Sequence, residues 1–339
     1  MKQIEINSND AGRRLDKFMR RYLAKATLNT IYKVIRKDVK VNGKREGNSY
    51  MLAAGDMLTL YMSDAQIAEW TASSETGAGS KVRRSFKIVY EDEDILVVDK
   101  PFGLLTHGDS NEKKNHLANQ VKDYLIETGK YNPRERVFAP APANRLDRNT
   151  TGAVLFGKNS ASLKALNEMI RENKVDKYYM TIVYGHPDGE IVLKGRLIKD
   201  QKTNTVKILD IGASEGREIE TIARPIRRIG DFTLVEIKLV TGRTHQIRVH
   251  LASINRHILG DDLYGFKSQG DKISRVMLHA YMLYFIHPRT GKRVEFTAKT
   301  YDDFNQIIYK KIPKEIFDEK ICPTHIDTIF SSFLSGMRF

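Results

Sequence analysis

Residues 144–152, NRLDRNTTG, hold one carboxylate, Asp147, between two arginines, Arg145 and Arg148. A nearby cation favours the charged form of an acid. That suits a surface salt bridge, and it equally suits a carboxylate that attacks a substrate. Two further stretches carry chemistry-bearing side chains. In TGRTHQIRVHLA (241–252), Arg243, His245, Gln246, Arg248 and His250 crowd together just after a strand. An Arg-rich turn from strand to helix is suited to holding phosphates or a carboxylate. The histidines speak against a metal: His245 and His250 are five apart and share no helix face, and no acid in the segment accompanies them and His279. In DKYYMTIVYG (176–185), Tyr178 and Tyr179 open a strand, whose alternation sends them to opposite faces.

The elements that position these groups are legible in outline. Ala153–Phe156, Tyr178–Val183 and Thr233–Leu239 have strand character, as do Ile95–Val98 and Val294–Ala298. The spacing predicts helices over 115–128, 160–172 and about 244–254, the last with Ile247 and Leu251 on its inward face. Strand and helix do not alternate regularly, so the expected class is α+β, a mixed and largely antiparallel sheet with peripheral helices. Before this domain lies a smaller unit. Leu15, Phe18, Met19 and Tyr22 form one apolar helix face, with Arg13, Lys17, Arg20 and Arg21 outside it. Leu28, Ile31 and Ile35 form a second, with Lys33, Arg36 and Lys37 outside it. A turn at Asn42-Gly43 and a strand at 57–62 follow. The expected organisation is therefore a small α+β module at 1–62, a linker at 63–85, a main domain at 86–310 and a C-terminal extension at 311–339 whose role the residues do not reveal.

The composition narrows the partners. The chain has 339 residues and a formal net charge of +14, which points to a polyanion. Residues 1–62 hold 13 Lys/Arg against 6 Asp/Glu, so half of the excess sits in the module. A membrane is not expected: the longest near-apolar run, 276–286, is too short to span and contains His279. The first residues lack the apolar core of a signal peptide. A single cysteine, Cys322, excludes an internal disulfide and suits the cytoplasm. GAGSK (77–81) lacks the spacing of a phosphate-binding loop.

At the loaded stretches the chain resembles the pseudouridine synthases that act on bacterial large-subunit ribosomal RNA. VDKPFGLLTHG (98–108), RLDRNTTG (145–152), KYYMTIVYG (177–185) and TGRTHQIRVHLA (241–252) match that family's motifs in order, and ILGDDLYG (258–265) and LHAYMLYFIHPRTG (278–291) continue the match. The N-terminal module is similar to the RNA-binding module named after the fourth small-subunit ribosomal protein. The resemblance implies an isomerase that needs no cofactor and no metal. It implies Asp147 as the group acting on the sugar, Arg248 as its salt-bridge partner, and Tyr179 stacking on the base and helping to move the proton from C5. Arg145 would fill the space left by a flipped uridine, and Arg148 would contact the RNA backbone. Arg243, His245 and Gln246 join the expected RNA contacts, with the basic residues of the two N-terminal helices. One departure stands at Asn144, where the family commonly has His. The implied substrate is large-subunit ribosomal RNA, free or in an assembling particle; a monomer is the default expectation. The alternatives are a transfer RNA pseudouridine synthase, an assembly factor that binds RNA with isomerisation secondary, and a base-removing glycosylase.

Overall fold

The computed structural model describes residues 1–71, 83–132, 137–200, 205–265, 273 and 275–310. GAGSK and the whole extension at 311–339, with Cys322, lie outside these. The first elements are β1 (Lys2–Glu5), α1 (Leu15–Tyr22), α2 (Leu28–Asp38), β2 (Val39–Val41), β3 (Met57–Leu60) and α3 (Asp64–Trp70). There follow β4 (Lys87–Glu91), β5 (Ile95–Lys100), α4 (Leu117–Glu127), β6 (Ala141–Pro142), β7 (Thr151–Gly157), α5 (Ser160–Arg171) and β8 (Asp176–Tyr184). The remainder is β9 (Ile191–Lys199), β10 (Val206–Leu209), β11 (Arg217–Ile229), β12 (Phe232–Leu239), α6 (Gln246–Ser253), β13 (Leu278–Ile286), β14 (Arg293–Thr297) and α7 (Asp302–Lys310). The class is α+β, and the strands after the N-terminal three are mixed and largely antiparallel.

The chain divides into two compact units. The first comprises residues 1–179, 238–245 and 278–299, and the second 180–237, 246–277 and the chain from Thr300 onward.

In the first unit, α1 and α2 cover a three-stranded antiparallel sheet in the order β1-β3-β2. Leu15, Phe18, Met19 and Tyr22 are buried, as their spacing requires. The stripe of α2 is shifted from expectation. Leu28 is 42% exposed, and Ile31, Val34 and Ile35 fill the core instead. Leu28 begins the helix directly after the Thr27 cap, so it points away from the packed turns. Asn42 and Gly43 both take positive φ, and the turn closes through paired Val41 and Lys44 backbone bonds of 2.8 and 2.9 Å. Residues 64–70, expected in a linker, form α3. Ser63 and Gln66 make a reciprocal capping box, and Ile67 is buried in the module's core.

The same unit carries β4, β5, β7 and β13 side by side, with β14 on β13 and β6 on β7. All six residues of β5 are buried, the pattern of a strand covered on both faces. Most pairings are antiparallel, but β13 runs parallel to β7, His279 facing Thr151 and Ala280 facing Gly152. Gly152 makes this approach possible. Its φ is +113°, and a Cβ there would lie 2.1 Å from the Ala280 carbonyl oxygen.

In the second unit β9 pairs antiparallel with both β10 and β11, and β12 follows β11 across the turn at Gly230. Val249 of α6 packs with Leu197, Val206 and Ile219 of these strands. That packing sets which faces of α6 turn inward.

Candidate active site

Asp147 lies in the loop leading into β7, and each flanking residue is held. The Asn144 side chain accepts from Leu155 N at 2.8 Å and donates to Ala153 O at 3.4 Å, so this amide ties the loop to β7. The Thr106 hydroxyl donates to Leu146 O at 2.8 Å and accepts from Leu146 N at 3.2 Å. Asn144 and Leu146 therefore point inward, leaving Arg145 exposed and Asp147 half-buried. Arg148 is exposed, and its Nε donates to Gly103 O at 3.1 Å. It fastens this loop to the segment after β5.

Lys100, at the end of β5, is fully buried. Its Nζ donates to Leu104 O at 2.7 Å, Pro101 O at 3.1 Å and Arg148 O at 3.3 Å. Burial pulls the amine down to about 7, opposed by the charges of Asp147 and Asp99. This lysine stands in VDKPFGLLTHG, where two charged residues, Asp99 and Lys100, end the apolar run of Ile95–Val98.

Tyr179 is 5% exposed. Burial, and secondly the Asp147 carboxylate, push its phenol well above the ordinary range, so it keeps its proton at neutral pH. Tyr178 is half-buried, with the Lys238 ammonium 5.6 Å from its ring centre. The two neighbours differ as strand alternation requires.

His245 has φ +55° and sets Nε2 3.8 Å from Asp147 Oδ2. This ring, expected to contact RNA, lies beside Asp147 within the same unit. Left-handed backbone at a non-glycine residue is uncommon and concentrates at functional sites. Arg243, two residues earlier, is exposed.

In the second unit α6 begins two residues later than expected. Gln246 was expected to face RNA, and here the expectation is corrected. It is 1% exposed, with its amide donating to Glu220 O at 3.0 Å and Thr221 Oγ1 at 2.9 Å. Because Val249 packs on the strands, Gln246 and His250 turn toward β11. His250 Nδ1 lies 2.8 Å from Thr221 Oγ1, and burial lowers the imidazole to about 4. Arg248 is also buried. Its Nε and Nη2 reach Asp261 at 2.8 and 2.6 Å, and its guanidinium carbon lies 5.1 Å from the Tyr264 ring centre. Within this unit the fork of Arg248 meets Asp261, a residue of ILGDDLYG. A bidentate pair fixes the plane of the guanidinium as well as its charge.

Two other histidine environments bear on metal binding. His279 is fully buried, with Nδ1 2.8 Å from Thr151 Oγ1 and Nε2 3.0 Å from Ala298 O. It links β7, β13 and the end of β14. Asp92, Asp94 and His287 form a cluster with metal-ligand donors. Those donors are engaged: His287 pairs with Asp92 at 2.9 Å, and Asp94 forms an ion pair with Arg289 and accepts from Asn159 and Ser162. The cluster reads as a network closing the β4–β5 turn.

Of the basic residues predicted on the module, Lys17, Arg20 and Arg21 of α1 are exposed, as are Lys33, Arg36 and Lys37 of α2, while Arg13 is half-buried. Among the described residues no helix is long and apolar enough to cross a membrane.

Comparison with known proteins adds to this geometry. A family model described as RNA pseudouridylate synthase matches residues 94–253. The ribosomal large subunit pseudouridine synthase C of Vibrio cholerae serotype O1 is 33% identical over 316 residues, covering 91% of this chain and 96% of that protein. An uncharacterized RNA pseudouridine synthase of Bacillus subtilis (strain 168) is 31% identical over 315 residues, covering 91% and 98%. Among solved structures, the human RNA pseudouridylate synthase domain containing 4 matches with a TM-score of 0.55 and 20% identity, over 66% of this chain and 92% of that one. That last likeness concerns the fold.

Proposed function

This chain belongs to the RNA pseudouridylate synthases, and on that premise we propose that it isomerises specific uridines of large-subunit ribosomal RNA, with Asp147 acting on the sugar. The observation that carries the reading is the placing of Asp147. Its carboxylate is accessible at the end of a loop pinned through Asn144, Leu146 and Arg148, near a protonated phenol and a histidine. Preorganisation of this kind holds a reacting group in position.

The reaction breaks the bond from ribose C1′ to uracil N1, turns the base, and joins C1′ to C5. One proton leaves C5 and one arrives at N1, so the composition is unchanged. Asp147 either captures the developing positive charge at C1′ or removes a proton from C2′ to give a glycal; both routes use the carboxylate. Tyr179 stacks on the base and takes part in proton transfer as a phenol, which gives a proton before it can take one. The target must leave its stack, at a cost of a few kcal/mol that is smallest in a loop or bulge. Arg145, exposed beside Asp147, fills the gap with a planar guanidinium. In the second unit Arg248, held flat by Asp261, acts in this reading through charge and orientation.

The choice of ribosomal over transfer RNA rests on the likeness to ribosomal large subunit pseudouridine synthases and on the basic N-terminal module, which we read as an RNA anchor. The exposed Lys33, Arg36 and Lys37 give it phosphate contacts without sequence choice. A cytoplasmic monomer acting on free or assembling large-subunit RNA fits these features. The test is pseudouridine mapping of large-subunit ribosomal RNA, by carbodiimide labelling and primer extension, in cells lacking the protein. Particular stops should vanish and return with wild type but not with Asp147→Ala. Stops that persist throughout would redirect the search to transfer RNA or to the binding-only reading.

A further inference from the structure

Helix α5 has a polar face to which the reaction gives no work. Ser160, Lys164, Asn167 and Arg171 recur at helical spacing and line a cavity of about 730 Å³. Arg13, Lys17, Arg20 and Arg21, at or just before α1, line the same cavity. Six cations thus face a space whose lining holds one carboxylate, Glu168, and that one pairs with Arg171 at 3.5 Å. Like charges gathered in this way repel one another until a polyanion enters.

The two walls are already fixed to each other. Arg13 Nη2 donates to Ser160 Oγ at 3.3 Å, Ser160 N donates to Asn9 Oδ1 at 3.1 Å, and Arg21 Nη1 donates to Val137 O at 2.8 Å. A ligand therefore meets a preformed cleft. The aromatic ring in the lining is Phe138, which is 2% exposed and offers no face for a base. Single-stranded sites that hold bases present stacking platforms. This cleft presents six cations with the polar Ser160 and Asn167, the chemistry of phosphate binding.

We propose that α1 and α5 are the two walls of a clamp for the RNA sugar–phosphate backbone, in which Lys164 and Arg171 grip the same strand as the α1 cations. The proposal rests on the RNA-modifying reading of the chain. It gives α5 a share of the binding, which the sequence pattern assigned to none of its residues.

The experiment measures binding of the full-length protein to a large-subunit ribosomal RNA fragment across a potassium chloride series. Wild type is compared with Lys164→Gln/Arg171→Gln, with Arg20→Gln and with the triple variant. Each lost phosphate contact lowers the slope of log affinity against log salt by roughly 0.7 to 0.9, so the α5 double variant should lose about 1.5 units of slope. Its single-turnover rate on saturating RNA should be unchanged, and its KM raised. The triple variant should lose one contact more, about 2.4 units of slope in all. Lys164→Arg/Arg171→Lys should restore the slope, which separates charge from folding. An unchanged slope in the α5 double variant overturns the clamp. If wild type binds steeply but makes no pseudouridine, the catalytic reading fails and the clamp stands. Pseudouridine formation with a wild-type slope in the α5 variant gives the reverse.

Discussion

Asp147, Tyr179 and His250 each answer to their surroundings in a way that can be measured. Asp147→Asn keeps the shape of the loop and removes the carboxylate's charge and basicity. The expected result is a loss of about a thousandfold or more in single-turnover rate, with RNA affinity little changed. A variant retaining a tenth of the rate would remove Asp147 from the chemistry. Tyr179→Phe keeps the ring and deletes the hydroxyl. A fall of about a hundredfold in single-turnover rate, without weaker binding, would mark the phenol's proton as used; a full rate would leave Tyr179 as a stacking surface only. His250 concerns stability. Burial lowers its folded-state pKa to about 4 from an ordinary 6.5. Between those values the unfolded chain binds a proton that the folded chain does not, so stability falls as pH drops from about 6.5 toward 4. Urea midpoints at pH 7.5 and 5 should diverge in wild type and converge in His250→Gln. Equal divergence in both would place the acid sensitivity elsewhere.

At the scale of elements, the site depends on how β7 meets its neighbours. Asp147 precedes this strand, Asn144 is tied to it, and Gly152 lets β13 run alongside. Gly152→Ala brings a Cβ to 2.1 Å from the Ala280 carbonyl oxygen, at a φ of +113° that side chains rarely adopt. The expected cost is about 3 kcal/mol or more, seen as a lower urea midpoint, together with lost activity because the Asp147 loop shifts. A midpoint within experimental error of wild type would mean that the two strands can part without harm. Asn144 shows the same dependence from the other side. In place of the family's common His, its short amide reaches both Leu155 N and Ala153 O, so the departure is accommodated by bonding to the strand.

For the whole molecule, the basic excess has a physical division of labour. The α2 cations are exposed on the module, whereas the α1 cations line a cavity shared with α5. Lys33→Gln/Arg36→Gln/Lys37→Gln should lower the salt slope of RNA binding by roughly 2 to 3 units if each cation contacts one phosphate, while the single-turnover rate at saturating RNA stays. An unchanged slope would leave α2 as a solvated face. Deleting residues 1–62 is a poorer test. Val137 is buried in the module's own core, and Asn9 bonds to Ser160, so the deletion would also expose apolar surface on what remains.

Much was legible in the chain itself, and the reason is local. Apolar spacing marked α1, α4 and α5, and β-rich runs marked β5, β7, β8 and β12, because periodicity follows from which side of an element faces the core. The Asn42-Gly43 turn was legible because positive φ selects those residue types. The opposite faces of Tyr178 and Tyr179 followed from strand alternation. The Asp147, 177–185 and 241–252 stretches stood out because charged and aromatic groups crowd where a fold alone does not call for them. What the tertiary structure decided was pairing across long separations. That His245 turns to Asp147, that Asp261 takes the fork of Arg248, that Gln246 points inward and that α5 faces α1 are facts about which surfaces meet. Spacing along one element specifies its faces but not what each face will touch, since contact depends on strand register, on close approaches such as Gly152 against Ala280, and on which element the packing brings alongside.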